Sequence, residues 1–300
     1  MIKTITIGIP AYNEGQNIGQ LLRSLLAQKL ARHEIEKIIV CSDGSTDNTR
    51  EQVLNVMNNK IVFIDNKDRR GQSARQNQII SSCHCDVLVL LNADILIKNN
   101  DFIQQLIQPI IDGSADLTSS RVKTLPPKSL LGKIFCATYV VRNELYDNFK
   151  GGNNIYTCHG AARAFSKVMY SNFRFKDSVA EDAFSYLYAI QYNMKYIYSS
   201  KAIALIRWPE NIKDHLSQSA RFFQSKKVLL ADFSRTLLDQ EYYLPKTRII
   251  TSVIQLFWKN PLYGIIYTFI YAYTYFISLI NRVEKPKDTW VIASSSKDLV

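Results

Sequence analysis

The amino-acid sequence predicts an α/β fold: a Rossmann-like mixed sheet flanked by helices, followed by a C-terminal hydrophobic, membrane-associated helix. Three observations carry this. Through the first 120 residues, short apolar segments alternate with segments whose apolar residues recur at helical spacing. Four of the strand-like segments end in polar clusters, at 10–14, 42–47, 67–75 and 92–94. Residues 261–280 hold no charged side chain.

Residues 5–9 alternate as a strand, and Asn13 to Asn17 turn into a helix whose buried face is Ile18, Leu21, Leu22, Leu25 and Leu26. A second strand at 37–41 ends in Ser42-Asp43-Gly44-Ser45-Thr46-Asp47, turn and cap chemistry ahead of a helix through Val53, Val56 and Met57. A third at 61–64 leads through a basic loop to a helix starting near Ser73. Val87–Leu91 is wholly apolar, as suits the centre of a sheet, and Phe102, Ile103, Leu106, Ile107, Ile110 and Ile111 form the next helical stripe. In a sheet wound this way, ligands bind beyond the carboxyl ends of the strands, where the four clusters fall.

After a strand at 117–120 the alternation weakens. Pro126-Pro127 precedes a helical stretch at 130–149, and Gly151-Gly152-Asn153-Asn154 reads as a flexible loop. Cys158-His159-Gly160 leads into a short strand through Phe165, and Glu181-Asp182 opens a helix containing Phe184, Leu187, Tyr188 and Ile190. Residues 212–238 read as mainly helical. The expected division is an α/β domain over 1–210, a helical connector over 211–248, and a membrane-associated segment with its tail over 249–300.

A formal net charge of +11 directs attention to anionic partners: nucleotide diphosphates, acidic lipid headgroups or nucleic acid. No recognition helix, zinc-ligand spacing or aromatic sheet motif supports nucleic acid, so none is expected. Five cysteines, two of them at Cys83 and Cys85, do not suggest a disulfide framework and point to free thiols in a reducing compartment. The N-terminal segment has strand alternation and no signal-peptide pattern, which places the domain on the cytoplasmic side. Residues 261–280 match the roughly 20 residues of a bilayer span, with Lys259 before them and Arg282, Lys285 and Lys287 after. Tyr263, Tyr267, Tyr271, Tyr273 and Tyr275 favour the headgroup level, so a span and a helix lying in the membrane plane both stay open.

Moving a sugar from a nucleotide carrier needs a nucleoside pocket, neutralisation of the departing diphosphate and a base for the acceptor hydroxyl. Asp43 with the cluster Pro10-Ala11-Tyr12-Asn13-Glu14 suits the nucleoside, since a carboxylate accepts from base or ribose donors and a tyrosine ring offers a stacking face. Asp94, in Leu91-Asn92-Ala93-Asp94, is a hard oxygen ligand placed to hold Mg²⁺ or Mn²⁺ together with substrate phosphates. Arg75, near a helix start in Gly71 to Asn77, is a candidate donor contact, whereas Lys67 and Arg69 read as a solvated loop. At Glu181-Asp182 helix capping competes with catalysis, in which Asp182 takes the acceptor's proton while the diphosphate leaves from the opposite face.

Taken together, these clusters, over roughly residues 5–189, resemble glycosyltransferase family 2, whose members share the GT-A nucleotide-sugar-binding fold. The resemblance implies that Asp43 contacts the base, Asp94 the metal, and that Asp182 is the general base. The chain has Asn92 where the family often has an acid, so Asn92 is assigned to the donor and the metal to Asp94 alone. Gln218-Ser219-Ala220-Arg221-Phe222 is similar to the Gln-x-x-Arg-Trp motif of processive polysaccharide synthases, with Phe222 replacing Trp. Gln218 and Arg221 share a helical face from which Arg221 would meet the diphosphate, and a chance match on a surface helix is an equal alternative.

The resemblance thus implies an inverting, non-processive transferase. It would use a nucleotide-sugar, with UDP the expected nucleotide, and a lipid-linked or cell-surface glycan acceptor at the cytoplasmic face of the membrane. A non-catalytic nucleotide- or glycan-binding module on the same fold is the competing reading. A dinucleotide-dependent oxidoreductase is disfavoured because Pro10 to Glu14 replaces the glycine-rich turn. Neither the sugar nor the oligomeric state can be read from the sequence.

Overall fold

The computed structural model describes residues 2–176, 180–280, 297 and 299. Its first half follows the strand and helix alternation: β1 (Thr4–Ala11), α1 (Ile18–Leu26), β2 (Glu34–Asp43), α2 (Thr49–Leu54), β3 (Ile61–Asn66), α3 (Gln72–Ser81), β4 (Val87–Leu91) and α4 (Phe102–Ile111). β5 (Leu117–Thr124), α5 (Leu130–Asn148), β6 (Ala162–Ser166), α6 (Lys167–Asn172), α7 (Glu181–Gln191) and β7 (Tyr196–Ile206) complete the sheet and its cover. Four helices follow: α8 (Ile212–Leu229), α9 (Arg235–Glu241), α10 (Lys246–Lys259) and α11 (Pro261–Ile280).

One 7-stranded sheet runs in the order β3-β2-β1-β4-β6-β5-β7. β3, β2, β1 and β4 are parallel neighbours, while β6 lies antiparallel to both β4 and β5. The sheet is therefore mixed. The chain winds outward from β1 to β3 and returns to the other side of β1 with β4, which puts the topological switch beside β1. The carboxyl ends of β1, β2 and β4 thus share an edge. Because β6 is antiparallel and pairs Ala162 with Leu91, the segment before it, His159 to Ala161, is delivered to that same edge. Asn92 N–H donates to the Ala161 carbonyl at 3.0 Å and fixes the junction.

Two cores sandwich the sheet. Ile5, Ile7 and Ile9 of β1 point into one with Leu21, Leu22 and Leu25 of α1 and Phe102, Ile103, Leu106 and Ile107 of α4. Leu88 and Leu90 of β4 point into the other with Ile79 and Ile80 of α3 and the aromatic group Phe165, Phe173, Phe175 and Phe184. Packing is tight enough at Gly8 that no side chain fits: a Cβ there would stand 2.3 Å from Ile79 Cγ2 and 3.0 Å from Leu90 Cδ2.

Three sequence expectations change. The loop at 151–154 is ordered by two 3₁₀ turns, Phe149–Gly152 and Ile155–Thr157, held by Asn154, whose amide donates to the Tyr146 and Phe149 carbonyls at 2.9 and 2.8 Å. β7 had no counterpart in the pattern reading. The third change concerns the membrane: among the described residues no helix is long and apolar enough to cross a bilayer. α11 forms over the expected 261–280, but its five tyrosines lower its mean hydropathy, and Thr274 and Tyr267 turn toward the protein. The spanning alternative is set aside. Arg282, Lys285 and Lys287 lie outside the described residues.

α10 and α11 pack on α5, and α11 also meets α8. Their outer surfaces stay bare: Trp258 is 87 % exposed and Phe269 73 %, with Ile250, Ile254, Leu262 and Phe276 also exposed.

The Gly8 contact predicts that Gly8→Ala lowers stability by about 1–3 kcal/mol, as overpacking does. Trimming the opposing side chain with Ile79→Val in the same chain recovers part of that loss in denaturant midpoints; equal loss in the single and double variants would contradict the packing account.

Candidate active site

The edge formed by β1, β2 and β4 is stitched together by its loop polar groups. Asn13 sits in the left-handed region, with φ 52°. It is held there by its N–H donating to Ser45 Oγ at 3.1 Å and its side-chain oxygen accepting from Thr46 N–H at 2.8 Å. Glu14 N–H donates to Thr49 Oγ1 at 2.8 Å, and Gly15 N–H to Asp47 Oδ2 at 2.9 Å. The Ser45-Thr46-Asp47 stretch is thus a clamp for the first loop, and it leaves Pro10, Tyr12 and Glu14 lining one cleft.

Asp43 organises the next loop. Its Oδ1 accepts from Arg70 N–H at 2.8 Å and Arg75 Nε at 2.7 Å, and its Oδ2 from Gly71 N–H at 2.9 Å. Gly71 has φ 90°, a conformation that favours glycine and lets the chain fold over the carboxylate into α3. Arg75 is 4 % exposed and also pairs with Asp68 at 3.0 Å and Gln78 Oε1 at 3.2 Å. Its guanidinium is occupied behind the loop.

A cleft of about 780 Å³ opens over this edge. It is lined by Pro10, Tyr12, Glu14, Asp43, Asn92, Asp94, Glu181, Asp182 and Gln218. Of the expected residues whose side chains are described, Arg75 alone does not line it; its Nε meets Asp43 instead. The side chain of Arg221 lies outside the described residues.

The two halves of the sequence meet at Gly160. A Cβ there would be 3.9 Å from Asn92 Nδ2, 3.8 Å from Glu181 Oε1 and 3.9 Å from Asp182 Cβ. Glu181 is 4 % exposed, and its carbonyl accepts from Arg163 Nη1 at 2.7 Å. That arginine is fully buried and also donates to Ser185 Oγ at 2.8 Å, so it anchors the first turn of α7 from behind. Asp182 Oδ1 accepts from the Ala183 N–H at 2.7 Å, and Asp182 remains partly exposed in the cleft. Burial holds His159 below its ordinary value, hence neutral, although the Asp182 carboxylate pulls the other way.

Glu14 is buried, and desolvation first, then the Asp94 carboxylate, push its pKa from 4.5 to about 7. Lys297 opposes this: its Nζ lies 2.7 Å from Glu14 Oε1 and donates to the Tyr12 and Asn13 carbonyls at 2.7 Å. Two carboxylates close enough to repel suit a hard cation. Among the described residues no group of three or more His, Cys, Asp or Glu side chains could hold a metal. The fit is therefore to a cation taken by Asp94 with a substrate's phosphates completing its shell, the usual pattern for Mg²⁺.

Residues the pattern reading passed over also line the cleft. Arg69, read as solvated, lies over the Tyr12 ring at 3.9 Å, and Gln72 donates to Asn92 Oδ1 at 3.0 Å. Trp208, Arg142 and Lys297 line it as well. The first two belong to loop and helix stretches with no motif, and Lys297 is more than 200 residues from Glu14, so only the fold connects them.

The family model for Glycosyl transferase family 2 matches residues 6–173, more than half of the chain. The chain belongs to glycosyltransferase family 2. Over 255 residues the chain is 28 % identical to the poly-beta-1,6-N-acetyl-D-glucosamine synthase of Staphylococcus aureus, a match covering 81 % of this chain and 60 % of that protein. The synthase of the same name from Staphylococcus epidermidis is 25 % identical over 243 residues, 79 % of this chain and 58 % of that one. The chain thus spans about 60 % of the length of these curated relatives.

Among solved structures, the chain is similar to a mannosyltransferase from Pyrobaculum calidifontis in complex with GDP-Man and Mn²⁺. The TM-score is 0.65 at 15 % identity, over 94 % of this chain and 89 % of that one. It is also similar to glucosyl-3-phosphoglycerate synthase from Mycobacterium tuberculosis in complex with Mn²⁺ and UDP, with TM-score 0.53 at 17 % identity over 76 % and 79 % of the two chains. The shared fold is GT-A.

The raised Glu14 pKa has a stability consequence. The unfolded state loses its proton near 4.5 and the folded state near 7, so ionising Glu14 weakens the folded chain progressively between those values and by a constant amount above them. Glu14→Gln should therefore match wild type near pH 4 and gain up to about 3 kcal/mol by pH 8, read from thermal melts with a metal chelator present. A gain independent of pH would contradict the assignment.

Proposed function

We propose that this chain is an inverting, non-processive glycosyltransferase that moves a sugar from a nucleotide-sugar, with UDP the expected nucleotide, to a lipid-linked or glycan acceptor at the cytoplasmic face of the membrane. The observation that carries this is the convergence of Asp43, Asp94 and Asp182, drawn from β2, the β4 end and α7, on the walls of one open cleft. A degenerate binding module would need no third carboxylate across the cleft.

In this reading the nucleoside lies against Tyr12 and Arg69 with Asp43 beneath, where one lone pair on Oδ2 stays open after the Gly71 bond. Asp94 and Asn92 face the diphosphate, and Gln218 approaches it from α8. A divalent cation on Asp94 supplies neutralisation of the charge that grows on the leaving group. Asp182 takes the proton from the acceptor hydroxyl as its oxygen attacks the anomeric carbon. The bond from that carbon to the diphosphate oxygen breaks, and the electron pair leaves with the nucleotide. Attack and departure on opposite faces invert the centre. His159, kept neutral by burial, stands beside Asp182 without competing for the proton at neutral pH.

The relatives are named as polymer synthases, and Gln218 lies in the cleft as their motif resemblance would have it. The single-transfer reading rests on Phe222 in place of Trp. Membrane contact is assigned to the bare apolar surface of α10 and α11, lying in the plane of the headgroups.

Two measurements test this. UDP-sugar consumption with Mn²⁺ and membrane lipid extract should fall by about 10²–10⁴-fold in Asp182→Asn, the span removed with a general base, while donor binding persists. Full activity in Asp182→Asn removes the base assignment, and product ladders of many sugars remove the single-transfer one. Separately, Trp258→Asp combined with Phe269→Asp should abolish co-sedimentation with anionic vesicles; unchanged sedimentation contradicts the surface assignment.

A further inference from the structure

The cleft does not end at the carboxylates. Beyond His159 it continues as an aromatic and apolar channel between α5 and the α10–α11 pair, with Tyr139, Trp208, Val253, Leu256 and Tyr267 on its walls. Two arginines reach it, and Arg207, beside Trp208, is engaged by Glu210 at 3.7 Å and by the Pro126 carbonyl at 3.2 Å. Arg142 of α5 has its guanidinium carbon 5.7 Å from the Tyr139 ring and 5.8 Å from the Trp208 ring, and it makes no ion pair or side-chain hydrogen bond among the described residues. The nearby acid on the same helix, Asp147, is engaged by Arg121 at 2.7 Å and by the Tyr198 hydroxyl at 2.7 Å. Arg142 is close enough to His159, His215, Tyr146 and Tyr267 that its charge acts on the titration of each. His159 feels Asp182 as well, so the arginine and the candidate base flank one imidazole.

An unpaired guanidinium on an apolar wall is electrostatically unfinished, and the group that completes it is an anion with an apolar extension. We propose that Arg142 binds the phosphate of a lipid acceptor whose hydrocarbon chain lies in the channel between α5 and α10–α11. This deepens the transferase reading by naming the acceptor class, and rests on it. The channel walls and the bare outer surface belong to the same two helices: Leu256 and Tyr267 face inward, Val253 lines the channel while itself 49 % exposed, and Ile254, Trp258 and Phe269 face out. A lipid passing from a membrane surface into the channel therefore meets apolar contacts throughout and brings its phosphate to Arg142 and its headgroup toward Asp182.

The test is equilibrium binding of a radiolabelled polyprenyl phosphate in detergent micelles, with the uncharged polyprenol and inorganic phosphate as competitors. Wild type should bind the phosphate lipid at least about tenfold more tightly than the alcohol, the worth of one charge-assisted contact. Arg142→Met should lose that preference and Arg142→Lys keep part of it, with circular dichroism confirming the fold of each. Val253→Asp should weaken the lipid and leave competition by inorganic phosphate unchanged. Equal lipid binding by wild type and Arg142→Met overturns the proposal, as does inorganic phosphate competing as well as the lipid. Donor consumption by wild type with Mn²⁺ and membrane lipid extract is measured alongside. If it proceeds while Arg142 makes no difference to lipid binding, this subsite fails and the transferase reading stands. If lipid binding depends on Arg142 and no donor is consumed, the transferase reading fails and the lipid site is kept.

Discussion

The buried ion pair of Asp43 with Arg75 is the constraint on which the donor half of the cleft depends. Both side chains are under 10 % exposed, so each charge has given up most of its water. The guanidinium alone would not repair that loss for Asp43. What completes the carboxylate's shell are the Arg70 and Gly71 backbone donors, and they belong to the loop that must close over β2 for Tyr12, Arg69 and Gln72 to line a common wall. Folding the loop and satisfying the carboxylate are one event. The same loop turns into α3, so the helix that packs Ile79 and Ile80 under the sheet is aligned by the carboxylate as well.

That coupling explains which parts of the site were legible beforehand. Pro10 to Glu14, Asp43 and Asn92 to Asp94 fall at carboxyl ends of parallel strands, and strand periodicity locates such ends without coordinates. Asp182 was legible from its place ahead of an apolar helix. Arg75 was read as an anion contact because a basic residue at a helix start suggests one, and the partner it meets in the structure, Asp43, lies 32 positions away across a loop. Arg69 failed the other way: charge in a loop looks solvated until the fold lays it over Tyr12. β7 escaped because its burial is irregular and its sequence mixes Ser and Lys with Ile and Ala, giving no clean alternation. α11 was located correctly to the residue range, but length and absence of charge do not measure hydropathy, and the tyrosines decide it.

The cleft has two ends of opposite character, and the topology produces them. The strand-end edge is crowded with loop hydrogen bonds and carboxylates because parallel strands end there with polar turns. The far end is walled by α5, α8, α10 and α11, whose contacts are rings: Phe135 on His215 at 4.2 Å, Tyr139 on Trp208 at 4.1 Å. Burial first, and then the nearby Arg142 charge, push the His215 pKa down to about 4, so its imidazole adds no charge to this wall. A ligand bridging both ends must be polar at one and apolar at the other.

Asp182 sits where these ends meet, and its surroundings leave its carboxylate available. The first turn of α7 is braced from behind by Arg163 through the Glu181 carbonyl and Ser185, and Ser185 Oγ in turn donates to the Asp182 carbonyl at 2.8 Å. The bracing groups act on backbone and on neighbouring side chains. The carboxylate's own protein contact is the Ala183 N–H, a weak hold that a helix N-terminus provides without neutralising the charge. Glu181, one residue earlier, shows the contrast, since it is almost fully buried. A side chain fixed by its helix and open on the cleft side is placed as the proposed proton abstraction requires, and the buried arginine supplies the rigidity from behind.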